Sequence, residues 1–479
     1  MTKMKRTLAA GAALVPLAAG CTVAGNASGG QGSGTIVVGY QSKTINTVTA
    51  GTLLRSLGLF EKRLKELGKA DGKKYSVVWQ DYDTGAPITA QMLAGKIDIG
   101  SMGDYPLLIN GSRAQAQGGD ALTELVAVTG YNVRGSLNGV VVSKDSSAKT
   151  LRDLKGKTVS TSVGSAGHGT FVQAARKYGL DPTKDVKVEN QAPSVGASAL
   201  QAGSAAGLAQ FVAWPGVLVQ KGQARLLYDG GALNVPTFHG VVVRKAFAGE
   251  KGKVLQAFLH AQIDATNYLH ADPVKAAESV ASATGLPAEA VYLYNGAGGV
   301  STFDPTIKQP LRDAFAQDVP FLKSIGVIQT PLDVKPFIND AYIRQAYGSS
   351  YEQNAASTAN PAAITGTDAV CNTKVGDAAT AGEVWVAGEP KTRPVSDPVC
   401  LLKNVRKLQG EGKQLRAVYI PDATTGTRWF ADKDVWVEDP SADAATRFKP
   451  FATQEAAEKY VSAHSGAKVV KYDEAVRRA

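Results

Sequence analysis

The chain has 479 residues, a formal charge of +10 and 44% hydrophobic residues, enough for several ordinary globular cores. Its basic residues are scattered along the sequence and build no arginine-rich arm. That pattern argues against nucleic acid as a partner and leaves solubility and a membrane-surface bias as the meaning of the charge.

Lys3, Lys5 and Arg6 precede an apolar run over residues 8–19, and Gly20-Cys21 follows. This is a secretory signal, too short to span a bilayer. Its ending, LAAGC, resembles a bacterial lipobox. The resemblance implies residues 1–21 as a lipoprotein signal, a lipid on the Cys21 sulfur and a cell-membrane anchor on the extracytoplasmic face. The alternative is a plainly secreted protein with a chance cysteine. Residues 22–34 are Gly/Ser-rich and read as a flexible tether.

TIVVGY at 35–40 reads as a strand, and residues 51–67 carry leucines at helical spacing. A second strand at 75–79 precedes Gly85-Ala86-Pro87, a helix start with proline in the first turn. A third strand at 97–100 ends in MGDYP, and another helix follows. This alternation implies an α/β fold with a mostly parallel sheet, whose ligands sit off the carboxyl ends of strands. GVVVSK at 139–144 and GVVVRK at 240–245 are twins that bracket a second α/β unit. They are candidates for the strands that cross between two lobes; two unrelated buried strands are the alternative. Helices are expected at 251–270, 273–283, 287–294, 309–325 and 336–345.

In the second unit a capped turn at 150–154 leads to a strand at 158–163, a glycine-rich loop at 164–169 and a helix from Thr170 to Tyr178. Free amides and the positive helix end converge at Gly167, His168, Gly169 and Thr170, a geometry that holds anions. No Lys-Ser/Thr pair follows the glycines, so this is no Walker loop.

Several stretches together resemble the nitrate/sulfonate/taurine group of ABC-transporter substrate-binding proteins. They are VGYQ (38–41), GLFEKRL (58–64), AGKIDIGSMGDYP (94–106), SKDSSAKTLRDLKGKTVSTSVGSAGHGT (143–170), RKAFAGEKGKVLQAFLHA (244–261) and DPVKAA (272–277). The resemblance implies a periplasmic-binding-protein type II fold over residues 35–345, with lobe 1 at 35–143 and 239–345 and lobe 2 at 144–238. It implies a non-enzymatic, monomeric protein that carries a small anion such as an aliphatic sulfonate, taurine or nitrate to an ABC permease and ATPase. Its ligand set would be Gln41, Gly85, Gly103, Asp104, Ser165, His168, Gly169, Thr170 and Trp214. Trp214 fits a cleft wall or a core equally well. Asp104 reads as a helix cap more readily than as a ligand, because a buried carboxylate would repel an anion. His168 fits a packed, neutral histidine as well as a ligand.

Residues 346–365, low in apolar content, read as a linker. Residues 366–479 repeat at an offset of 51, with Val384-Trp385-Val386 over Val435-Trp436-Val437, and read as a small α+β domain of duplicated ββα units. AVYIPDATTGTRWFADKDVWVE (417–438) and FKPFATQEAAEKYVSAHSGAKVVKYDEA (448–475) resemble the NosL family of copper-binding lipoproteins. That family's methionine is missing here, and Asn372 follows Cys371. In an oxidising compartment Cys371 and Cys400 are expected as a disulfide, with a Cu(I) site as the alternative. Two other functions compete: a metal-handling protein with a copper chelate in the cleft, and a thiamine-pyrimidine-type binder or enzyme on the same fold. Residues 35–345 contain no cysteine, which counts against the enzyme.

Overall fold

The computed structural model describes residues 34–479. The signal segment, Cys21 and the tether up to residue 33 lie outside the described residues.

The strands, in chain order, are β1 (Thr35–Tyr40), β2 (Ser76–Asp81), β3 (Ile99–Gly103), β4 (Thr123–Asn132), β5 (Asn138–Ser143), β6 (Thr158–Thr161), β7 (Lys187–Asn190), β8 (Gly207–Phe211), β9 (Ala224–Asp229), β10 (Thr237–Arg244) and β11 (Thr302–Phe303). One sheet has the order β11-β4-β10-β3-β1-β2, the other β7-β6-β8-β5-β9. Both are mixed. β1 runs parallel to β2 and β3, while β10 is antiparallel to β3 and β4. β6 runs parallel to β7 and β8, while β5 is antiparallel to β8 and β9.

The antiparallel strands exist because the chain changes sheets twice, over residues 133–137 and 230–236. The twin GVVV words are not these crossings. Each is the first strand after one, so β5 belongs with the second lobe and the first lobe's leading segment ends before it. The shared word has a packing cause. Val140 and Val142 face one core while Val141 faces another; Val241 and Val243 face one core while Val242 faces another. A central strand covered on both faces has no place for polar alternation.

Helix boundaries follow local chemistry. The run expected as one helix at 51–67 breaks at Gly58, whose φ of 61° ends a short turn before the helix Leu59–Asp71 begins. Leu59–Asp71 packs on Gly252–Ala271, with the Phe60 and Phe258 rings 5.1 Å apart edge to face. The turn Leu151–Leu154 is closed by a capping box between Thr150 and Asp153.

Residues 346–365 differ from the linker expectation. Tyr347 ends one helix and Tyr351–Ala355 forms another. Tyr351 is 2% exposed within the first lobe's core. Further on, Tyr131 Oη donates to Thr358 O at 3.3 Å and Gly298 N to Ala362 O at 2.7 Å. The segment is a strap held by its backbone carbonyls and a few apolar side chains, chiefly Tyr351 and Ile364, which is consistent with its low apolar content.

Beyond it, antiparallel pairs Gly382–Val386 with Arg393–Val395 and Val435–Glu438 with Phe448–Phe451 are each followed by a helix, Pro398–Gly410 and Gln454–Ala463. Trp385 and Trp436 are fully buried. This module sits against the crossings. Thr427 Oγ1 lies 2.6 Å from Ser136 Oγ and donates to Asp229 Oδ2 at 2.6 Å, touching one residue within the first crossing and one beside the second. Arg416 pairs with Glu289 and Glu278 at 2.7 and 2.8 Å. On the second lobe, Tyr178 Oη donates to Glu455 at 2.6 Å.

Candidate functional site

A cavity of about 650 Å³ opens between the two sheets, walled by both lobes. From the first lobe it receives Gln41 at the end of β1, Thr84–Pro87 at the start of the helix Gly85–Leu93, and Gly103, Pro106, Ile109 and Arg113 around the helix Asp104–Gln117. From the second lobe it receives residues 162–166, His168, Gln191 and Phe211. Gly85 is required by packing, since a Cβ there would lie 2.6 Å from Pro106 Cβ. Three helix N-termini therefore face one space.

The anion loop is shorter than expected. Ser165 caps the helix Ala166–Lys177 by accepting from His168 N at 3.2 Å, so the helix begins four residues before Thr170. Residues 169 and 170 turn with it, away from the cleft. Gly169 packs under the Tyr105 ring, where a Cβ would lie 1.7 Å from Cε2. Thr170 and Asp104 line a separate recess of about 20 Å³ beside the crossings. Trp214, for which the sequence leaves cleft wall and core equally open, packs against a core that the second lobe shares with first-lobe helices and the C-terminal module; Phe211 supplies the aromatic wall. Asp104 is 2% exposed and ties Tyr105 N, Phe238 N and Thr237 Oγ1 together. It locks the start of its helix to β10, and burial raises its pKa to about 6. Gln41, Gly85, Gly103, Ser165 and His168 do line the cleft.

Two histidines meet the cleft from opposite lobes. Asn46 Nδ2 donates to Gly130 O at 2.7 Å and contacts His239 Nδ1 at 2.8 Å. The carbonyl fixes the amide's orientation, so Nδ1 accepts and Nε2 carries the proton. Burial pushes the His239 pKa down to about 3. Gly164 N donates to His168 Nδ1 at 3.4 Å, and burial likewise lowers the His168 pKa. Both rings are therefore neutral donors through Nε2.

The remaining wall suits negative charge. Among the described residues lining the cleft there is no Asp or Glu, and Arg113 is the cation. Arg113 was not anticipated from sequence. Its signal was the spacing of Pro106, Ile109 and Arg113 along one helix face. His239 was also missed; it reaches the cleft only because β10 pairs antiparallel with β3, setting His239 opposite Gly103.

The sulfurs of Cys371 and Cys400 are bonded to each other. With Asp368 they form a compact group whose ligand atoms lie within 4.8 Å of one another. A disulfide offers no thiolate, and Asp368 already accepts from the amides of Val370, Cys371 and Ser396 and from Asn404. In this state the donor set does not fit Cu(I).

The "NMT1/THI5 like" family model matches residues 85–276. An aliphatic sulfonates-binding protein of Escherichia coli strain K12 is 26% identical over 298 residues, covering 61% of this chain and 86% of that protein. The taurine-binding periplasmic protein of the same strain is 26% identical over 242 residues, covering 49% and 70%. The alkanesulfonate-binding protein SsuA from Xanthomonas axonopodis pv. citri, solved bound to MOPS, superposes with a TM-score of 0.54 at 22% identity, over 64% of this chain and 98% of that one. The chain thus has the type II periplasmic-binding fold and is related to the sulfonate- and taurine-binding proteins that share it.

Proposed function

We propose that the protein is the extracytoplasmic solute-binding component of an ABC importer and that its cleft takes an organic anion, an alkane- or arylsulfonate in class. The observation that carries this reading is the cleft wall itself: helix N-termini from both lobes, neutral histidine donors and Arg113, with no carboxylate among the described lining residues. The volume favours a ligand with an organic body. About 650 Å³ lies within the roughly 300–1,000 Å³ typical of such sites, and Ile109, Phe211, Ile325 and Val327 offer apolar wall beside the donors. A bare nitrate would leave most of it unfilled.

Micromolar affinity needs about 8 kcal/mol, and each hydrogen bond to a charged group contributes about 1.5–3 kcal/mol. Two histidines, Arg113 and one first-turn amide from each of two helices give about 7.5–15 kcal/mol, of the order required before association entropy is subtracted. The likeness to binding proteins supports a non-enzymatic role.

The signal and Cys21 supply the address in this reading: a lipid-anchored protein that hands its ligand to a permease. No helix among the described residues is long and apolar enough to cross a membrane. For residues 366–479 we infer a duplicated ββα module whose first role is to brace the crossings; a NosL-like copper function would require the Cys371–Cys400 bond to be reduced first. Thermal-shift screening of the purified chain against sulfonates, taurine, nitrate and copper chelates tests the assignment. A sulfonate at a hundredfold excess over its Kd should stabilise by about 2.7 kcal/mol; stabilisation by a chelate alone would replace the reading.

A further inference from the structure

A second cavity, of about 380 Å³, lies between the second lobe and the C-terminal module. Tyr178, Leu227, Tyr228, Asp229 and Ala232 form one wall. The other comes from Asp422 and the loop after it, together with the helix Gln454–Ala463 and its neighbours Thr453 and His464. It shares no lining residue with the sulfonate cleft.

Its chemistry is opposite in sign. Three carboxylates, Asp229, Asp422 and Glu455, stand in the wall against one ammonium, Lys459. Asp229 is occupied by Gly231 N and Thr427 Oγ1. Asp422 is occupied by the amides of Thr424, Thr425 and Ala452. Glu455 differs: Oε2 accepts from Tyr178 Oη, while Oε1 has no partner among the described residues. Tyr228 is 3% exposed, and its hydroxyl has no hydrogen-bond partner among the described residues. A buried polar group left in that state is costly unless something completes it. Aromatic rings, Leu227 and alanines make much of the remaining wall, beside Thr424, Thr425 and Thr453. Tyr178 and Tyr228 meet edge to face at 5.9 Å, and Tyr460 stacks on His464 at 3.8 Å.

We propose that this cavity is a second ligand site, for a primary amine carried on an aromatic or alkyl body. An ammonium has the three donors that Glu455 Oε1 and the Tyr228 oxygen can accept, and tyrosine rings attract cations. The three carboxylates repel an anion. A bare inorganic cation would find only one free carboxylate oxygen among rings and Leu227.

The test is isothermal titration of the full chain with 2-phenylethylammonium chloride, with phenylacetate and 2-phenylethanol as charge controls. The expected result is saturable one-to-one binding of the amine that the variants of this cavity remove, while any phenylacetate binding belongs to the cleft and is left unchanged by those variants. Glu455→Gln should weaken it at least tenfold, Tyr228→Phe several-fold, and Ala456→Trp should abolish it by filling the space. Ala463→Trp, at an exposed rim position, serves if a buried variant fails to fold, as judged by its thermal transition. No saturable amine binding, or binding unchanged by Glu455→Gln and by both tryptophan variants, overturns the proposal. Sulfonate titration of the same samples reads the cleft separately, so failure of either site is distinguishable from failure of the other.

Discussion

Asn46 Nδ2 lies 2.8 Å from His239 Nδ1, and this contact decides which proton faces the cleft. Because the same amide nitrogen also serves Gly130 O, it cannot exchange places with its oxygen. Asn46→Asp cannot donate to the ring. His239 would then donate from Nδ1 to the carboxylate, and Nε2 would become an acceptor. A cleft that loses one donor and gains a nearby negative charge should bind a sulfonate at least tenfold more weakly, about 1.4 kcal/mol. Titration calorimetry measures the affinity, and nitrogen NMR of the histidine rings reports the tautomer.

Gly169 and Tyr105 hold the lobes at close range. A methyl on residue 169 would lie 1.7 Å from the Tyr105 ring, and Tyr105 Oη accepts from Gln173 in the same helix at 2.8 Å. Gly169→Ala should cost about 1–3 kcal/mol of stability and weaken ligand binding by opposing closure. Adding Tyr105→Leu should restore part of both. Thermal unfolding and small-angle scattering, with and without sulfonate, check the pair.

Tyr105 also links two buried acids, its amide donating to Asp104 and its hydroxyl to Asp318. Burial raises the Asp318 pKa to about 8, with Asp104 contributing, and raises Asp104 to about 6. A carboxyl whose folded pKa is raised keeps its proton in the native state after the unfolded chain has lost it. Its contribution is therefore complete below about pH 4 and is lost as pH rises through 6 and 8. Stability should fall across that window, and Asp318→Asn should flatten the fall and leave the protein more stable than the parent at pH 8. Urea denaturation at pH 5, 6.5 and 8 measures this.

The Cys371–Cys400 bond closes a loop with a sequence separation of 29. Its removal by Cys371→Ser with Cys400→Ser should destabilise the module by about 3–4 kcal/mol, read as a lower denaturation midpoint. Copper(I) titration should show no binding to the oxidised protein. Tight binding by the reduced form would revive a metal role for Asp368, Cys371 and Cys400.

Local patterning made much of the fold legible: the alternation of strand and helix, the capped turn at Thr150, and the leucine spacing before and after Gly58. The limits lay where position depends on tertiary geometry. Ser165 is a good cap, and its use moved the helix start and turned Gly169 and Thr170 away from the cleft. The GVVV twins looked like hinges because burial on both faces produces the same word anywhere. Trp214 and Phe211 lie close in sequence, and only the packing of the second lobe's core decides which faces the cleft. His239 depends on the β3–β10 register, which is not encoded locally; Arg113 shares a helix face with Pro106 and Ile109, but only the packing of that helix turns the face to the cleft.

Arg113 gives the most direct test of the central claim that the interlobe cleft is an anion site. Propane-, hexane- and benzenesulfonate would be titrated by calorimetry into the parent chain and Arg113→Ala, with 1-hexanol as the uncharged control. The parent should bind the sulfonates with micromolar affinity, the variant roughly 5- to 50-fold more weakly (about 1–2.5 kcal/mol), and the alcohol should show no saturable binding. Absence of binding by every sulfonate, or an affinity that Arg113→Ala leaves unchanged, would contradict it.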